Sequence, residues 1–397
     1  MLNNINGFRS FFIRISLFFS AFIFSIFLSV AHEEEVKTTH NEETTVTEVT
    51  ETDSLNHHDT TATHAGEAFN AGKLIMEHIA DAHDWHLFGH YSIPLPVIIY
   101  SGERGLSVFS SSHFEHGHKT YKGYMLNEKN LVVAVNELEE TDAHHATINE
   151  EITAGIYDIS ITKNVFAMLI SMALMLWVFI SVAKAYSRNP NTAPKGMQSL
   201  MEPLIIFIRD DVAKASIGEK NYKRFMPFLL TVFFFILLNN LLGLVPIFPG
   251  GVNLTGNIAI TFSLAFITFL ITTVNGTKDY WKHIIAMPGV PPWVLVLLTP
   301  IEILGVFLRP FVLMIRLFAN ITAGHIIALA FFCLIFIFAE KSPAAGFGVS
   351  IVSVAFVVFM TCLELLVAFL QAYVFTLLSA IYFGSALEEH HHAEEHH

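Results

Sequence analysis

Two apolar runs near the C-terminal end, Pro292 to Ala339 and Gly346 to Phe383, constrain this chain more than any other feature. As helices rising 1.5 Å per residue they would be about 70 Å and 55 Å long. A bilayer offers a hydrocarbon core of only about 30 Å. No polar turn interrupts either run, so two long, strongly tilted helices are expected, with a bend at Pro300 or Pro310, rather than four short spans. Three shorter runs, Val165–Val182, Phe228–Val245 and Ile258–Val274, can each cross upright, which makes about five membrane helices. Composition agrees: 53% of residues are hydrophobic, 37 are Phe, and only 14% are charged. The fold class is therefore an all-α integral membrane protein carrying a small α+β extracytoplasmic N-terminal domain.

The N-terminal part divides by composition. Arg9 and Arg14, the apolar stretch Leu17 to Val30, and Ser29-Val30-Ala31 read as a signal peptide over 1–31. Residues 32–68 are rich in Thr, Glu and His and have too few large apolar groups to offset ordering, so an acidic linker is expected there. Residues 69–157 read as the extracytoplasmic domain, with an amphipathic helix over 70–83 and strands at Val97–Tyr100 and Leu131–Val135. The membrane part spans 158–389, and a His/Glu-rich tail occupies 390–397.

Charge is distributed in a way that sets topology. The loop between the first two spans holds Arg188, Lys195, Arg209, Lys214, Lys220, Lys223 and Arg224. The next loop, Phe248 to Gly256, holds no Lys or Arg, and the following one holds Lys278 and Lys282. Basic loops stay in the cytoplasm. The N-terminal domain is then outside, periplasmic for an inner-membrane protein, and the C-terminus is inside. The net charge of −13 makes nucleic acid an unsuitable partner. The two cysteines, Cys333 and Cys362, lie in apolar runs and read as small core residues. His83, His86 and His90 have helical ligand spacing, but no fourth ligand accompanies them, so no metal site is expected.

Ionisable groups inside the apolar runs carry the chemistry. An arginine at bilayer depth costs about 3 kcal/mol on insertion scales and is kept where water, a counter-charge or a function compensates. Arg316 is a fixed cation, whereas His325 and Glu364 can titrate. Glu302, Arg309 and Arg316 are seven apart and share a helical face, with Asn320 near it. His325 points roughly to the other side. Glu364 and Gln371 are also seven apart. If the two long helices pair antiparallel, residues at one depth have a constant index sum, which is 689 for His325 with Glu364 and 687 for Arg316 with Gln371. Plainer readings stay open at this point: Glu302 and Arg309 as interfacial anchors, Gln371 and Asn320 as interhelical glue, His325–Glu364 as a structural ion pair. Whole-protein alternatives are a secondary transporter whose Arg316 binds an anion, and a membrane-anchored metal binder using the His-rich head.

The stretch Arg316-Leu-Phe-Ala-Asn-Ile-Thr-Ala-Gly-His325 resembles the signature of subunit a of the rotary F-type ATP synthase. Leu370-Gln-Ala-Tyr-Val-Phe375 resembles that family's second signature, and Asn239-Asn240-Leu-Leu-Gly-Leu-Val-Pro246 its second-span pattern. The resemblance implies a bacterial inner-membrane stator subunit, non-catalytic and without cofactor. Its partners would be a c-ring, b-type peripheral-stalk subunits and the rest of the ATP synthase. It also implies roles. Arg316 would be the stator arginine; Asn320, His325, Glu364 and Gln371 would line the outer proton path; Glu302 and Arg309 would lie near the cytoplasmic path; Asn240 would be the polar residue of the second span. Many bacterial relatives have Glu and His exchanged between positions 325 and 364. Gly243 stands where some carry an acid, so it holds no proton here. The coupling ion is expected to be H+, with a Na+-coupled version as the alternative.

Overall fold

The computed structural model describes residues 71–388, apart from 73–74, 76–78, 89–90, 128–129, 138–140, 189–192, 246–249, 286 and 288–289. The signal peptide, the acidic linker and the C-terminal tail lie outside the described residues.

The N-terminal unit is built from short antiparallel strands. β1 (Asp84–Phe88) pairs with β2 (Tyr91–Pro94). β3 (Pro96–Ser101) sits between β4 (Gly105–Ser110) and β7 (Ile156–Asp158). β5 (Tyr124–Leu126) pairs with β6 (Val132–Ala134). Alternation along β3 turns Val97 and Ile99 inward onto Phe109, Phe114, Tyr124 and Ile156, so a small domain core forms. The short helix α1 (Glu150–Ala154) is capped by Asn149, whose side-chain oxygen accepts from the Ile152 amide at 3.0 Å. Both expected strands are present. The helix expected to reach residue 83 is not: helical residues end at 79 and β1 begins at Asp84. His83 and His86 therefore never share a helical face. Trp85, just beyond the expected helix, is buried as part of β1.

His83 is buried, and its Nε2 lies 3.3 Å from Asp158 Oδ2. Burial alone would push the Asp158 carboxyl up, but the hydrogen bond and charge of His83, with the hydrogen bonds from Ser160, hold it below the ordinary carboxylate value. A lowered folded value means the stabilisation is complete above the unfolded value, about pH 4, and is lost as pH falls through the folded one. Protection of the Ile98 and Ser160 amides from hydrogen exchange should therefore fall selectively below about pH 4. Asp158→Asn should remove that acid step and weaken protection at neutral pH by about 1 kcal/mol. An acid step unchanged in Asp158→Asn would assign it to other groups.

The remainder is helical. α2 (Lys163–Arg188) leads to α3 (Met197–Phe207), which continues through a π-helical turn at Ile208–Lys214. α4 (Tyr222–Leu244) and α5 (Ile258–Val274) follow, then the short amphipathic α6 (Lys278–Ile285), bent 103° from α5. α7 (Pro292–Lys341) and α8 (Pro343–Leu387) complete the chain with 50 and 45 residues. Among the described residues, four helices are long and apolar enough to cross a membrane, or five if α5 and α6 count as one span. This is a multi-pass membrane protein.

Local chemistry explains these elements. In α5, Ser263, Thr268 and Thr272 donate to the carbonyls four residues back, so hydroxyls that face no water are satisfied within the helix. Pro300 and Pro310 fall inside α7 without ending it. Ser342 alone is extended between α7 and α8, and Pro343 starts the next helix with its φ preset. On α8, Ala368, Ala372, Thr376, Ser379 and Ala380 are buried, small residues that let helix backbones approach closely. The core is aromatic, with Phe225 stacked on Phe383 at 4.8 Å and Phe233 edge-on to Phe234. The outer faces of α7 and α8 expose Phe307, Phe347, Ile351 and Val352, a surface that needs lipid or a protein partner to cover it. Cys333 is buried as expected; Cys362 is exposed, because it falls on the outward face of α8.

Candidate proton-path site

α7 and α8 form an antiparallel pair in the register anticipated from the index sums. Ala339 touches Gly346, Phe331 stacks on Phe356 with ring centroids 3.9 Å apart, and His325 meets Glu364. His325 Nδ1 is 3.9 Å from Glu364 Oε1, both side chains being nearly buried at 15% and 13% exposure. That separation is an ion-pair distance rather than a hydrogen bond. Glu364 Oε1 has no hydrogen-bond partner among the described residues. Gly324 makes the approach possible, because a Cβ there would stand 2.6 Å from Glu364 Oε1.

The pair opens into a cavity of about 320 Å³. Its polar lining is Asn239, Asn240, Asn253, Asn320, His325 and Glu364; Leu244, Ile327, Met360 and Leu363 are among its apolar walls. Asn240 is held from two sides, donating to the Ala368 carbonyl at 3.4 Å and accepting from Thr255 Oγ1 at 2.6 Å. Two titratable groups, four amides and room for several waters make a place where a proton can be received and passed on.

Arg316 lies outside this cavity and is exposed on the outer surface of α7. Among the described residues its guanidinium makes no ion pair, so a bare cation faces whatever covers that surface. Gln371 of α8 is buried, and among the described residues no hydrogen bond joins it to Arg316. The structure thus unites His325, Glu364, Asn320 and Asn240 around one space. Arg316 and Gln371 stand apart from it.

Arg309 lines a second, much smaller cavity of about 10 Å³ with Thr268, Thr272, Tyr280 and Tyr382. Its guanidinium carbon is 5.7 Å from the Tyr382 ring centroid, a cation–π distance. Arg309 Nη1 and Tyr280 Oη are both buried there, with the guanidinium close enough to act on the phenol. Glu302 lines neither cavity. Sequence reasoning missed Asn239 and Asn253 in the large cavity and the two tyrosines in the small one. Only Asn239 carried a signal, as the neighbour of Asn240 in an otherwise apolar helix.

Comparison with known proteins separates the chain into the same two parts. The model of the family described as ATP synthase A chain matches residues 165–384. One described as a domain of unknown function (DUF8433) matches residues 74–159. ATP synthase subunit a of Chloroherpeton thalassium is 46% identical over 253 residues, covering 62% of this chain and 72% of that protein. ATP synthase subunit a 2 of Prosthecochloris aestuarii is 42% identical over 292 residues, covering 72% of this chain and 86% of its own. ATP synthase subunit a of Myxococcus xanthus is 43% identical over 251 residues, or 61% and 78% of the two chains. With more than half its length matched by one model and its membrane helices built around the residues of that site, the chain belongs to the ATP synthase A chain family.

Proposed function

We propose that this chain is the non-catalytic stator subunit of an ATP synthase membrane sector, carrying protons past a rotor. The observation that supports it most is a hydrated-size cavity holding the His325–Glu364 pair beside, but separate from, an exposed fixed cation at Arg316. Protons enter from outside through the cavity, where Asn240 and Asn320 orient water and the acid–imidazole pair, and pass beyond it toward Gln371 and a carboxylate on a ring of c-type subunits. The ring lies on the exposed faces of α7 and α8, which at roughly 75 and 68 Å long must tilt to stay within the bilayer. We read five spans, with the N-terminal domain outside and the C-terminus in the cytoplasm, the orientation that the basic loops favour. When the rotor carboxylate reaches Arg316, the cation favours its ionised form, and the proton leaves inward past Arg309 and Glu302. Arg316 also blocks a direct leak between the two half-channels. Each charge crossing releases about 2.3 kcal/mol per 100 mV, so several are required for one ATP made elsewhere in the complex. Peripheral-stalk subunits of b type hold the stator still.

An anion transporter would call for paired discontinuous helices, and α7 and α8 run unbroken for 50 and 45 residues. The test is passive proton flux through membranes stripped of the catalytic sector, driven by a diffusion potential. Glu364→Gln and His325→Ala should each slow flux at least about tenfold, the scale of losing a positioned proton-transfer group. Flux at the parent rate in both variants would reject the reading.

A further inference from the structure

We propose that the N-terminal domain is a positioning element for the mouth of the outer cavity, acting through Trp85. This rests on reading that cavity as the outer proton path.

The domain is joined to the membrane part without slack. β7 keeps pairing with β3 beyond its end, Ile159 donating to the Ile98 carbonyl at 2.8 Å and Ile161 to the Pro96 carbonyl at 3.1 Å. α2 begins two residues later. Its first turn is then bonded to the other end of the domain: the Lys163 amide donates to the Ala82 carbonyl at 2.8 Å, Lys163 Nζ to the Ala80 carbonyl at 3.0 Å, and the Asn164 amide to Asp81 Oδ1 at 3.1 Å. Amide donors left over at the start of a helix are satisfied here by the domain itself. A simple tether would need none of these bonds.

From that rigid base Trp85 reaches the membrane part. It is 3% exposed and belongs to one buried apolar cluster with Ala167 of α2 and Val252 of the loop joining α4 to α5; its ring meets Phe166 edge-on at 5.8 Å. Val252 is the neighbour of Asn253, which lines the cavity, and Thr255 of the same loop holds Asn240. Gly251 and Val252 are held against α4. The Gly251 amide donates to the Leu242 carbonyl at 3.1 Å, and a Cβ at Gly243 would come within 3.3 Å of the Val252 carbonyl oxygen. Displacement of Val252 is therefore carried to Asn253 and Asn240. A continuous set of contacts runs from the exported domain to two amides of the cavity. Such a set is a route for coupling, and coupling has to be measured.

The measurement uses the complete ATP synthase in membranes, with Cys333→Ala and Cys362→Ser as background. A thiol introduced by Asn253→Cys is labelled from outside with a charged, impermeant methanethiosulfonate, and passive proton flux is read in matched membranes without that thiol. Trp85→Ala should change the labelling rate and lower the flux, each by about threefold or more, the range of such coupling energies. Trp85→Phe should restore both. Should Trp85→Ala prevent assembly, Val252→Ala removes the contact from the loop side and carries the same expectation. Parent values of labelling and flux in an assembled variant overturn the proposal, and so does changed labelling with unchanged flux. Failure of the proton-path reading is recognised separately, by parent flux in Glu364→Gln, and leaves the labelling result standing.

Discussion

Arg316→Ala is expected to abolish ATP-driven proton pumping in inverted vesicles while the complex still assembles. The guanidinium is exposed on α7 with no anionic partner among the described residues, so the packing of the subunit does not depend on its charge. A cation within about 4–6 Å of a carboxylate favours the ionised form by about tenfold to a thousandfold. On the proposed mechanism a rotor carboxylate would then reach the inner path still protonated, and release would slow by that factor. The barrier proposed between the half-channels would be lost as well, so passive leak should rise as coupled pumping disappears. Arg316→Lys should also be defective, because a compact ammonium does not reproduce the planar, five-donor guanidinium. Pumping at the parental rate in Arg316→Ala, measured by acridine-dye quenching, would remove this residue from the mechanism.

The second large effect is on folding. Gly384 of α8 crosses directly over the Ser216 carbonyl oxygen beside Ile217, and a Cβ there would overlap that backbone atom. The obstacle is a carbonyl fixed in a helix rather than the end of a flexible side chain. The overlap can be relieved only by moving α8 off the turn at Ser216–Ile217. That movement would also strain the hydrogen bond from the Thr277 amide to the Ala386 carbonyl and the stacking of Phe225 on Phe383. Overpacking of this kind costs about 1–3 kcal/mol, and more when backbone must shift. Gly384→Ala should therefore lower the steady-state amount of assembled subunit and its detergent melting temperature, whereas Gly348→Ala, with open space around its Cβ, should change neither. Equal melting temperatures for the two variants would show that α8 can yield at this crossing.

Much of the site was readable before any coordinates. Charged groups inside apolar runs are rare because they are expensive, so Arg316, His325 and Glu364 stood out by cost alone. Helical spacing then set their faces, and one index sum placed His325 opposite Glu364, which the 3.9 Å contact bears out. Other parts left no such trace. Asn253 and Thr255 sit in a loop, where amides and hydroxyls are ordinary, and their roles arise only because that loop tucks against α4. Tyr280 and Tyr382 come from different helices and meet Arg309 only in three dimensions. The helix expected over 70–83 ended early because strand pairing of Asp84–Phe88 with Tyr91–Pro94, and burial of Trp85, outweighed the local helical pattern.

What the amino-acid order determined alone is whatever depends on one dimension: the length of each apolar run and the matched depth of His325 and Glu364, whereas Asn320, expected near the Arg316 face, lines the cavity with His325 instead. These follow from a fixed rise and turn per residue and from the cost of placing charge in hydrocarbon. Only the tertiary structure decided which groups share a cavity, where a glycine permits Glu364 to lie against α7, and how a strand residue of the N-terminal unit, Trp85, comes to share a buried cluster with Val252, the neighbour of Asn253. Contacts between distant segments depend on close packing of particular shapes, and a linear pattern of polar and apolar residues does not encode that shape.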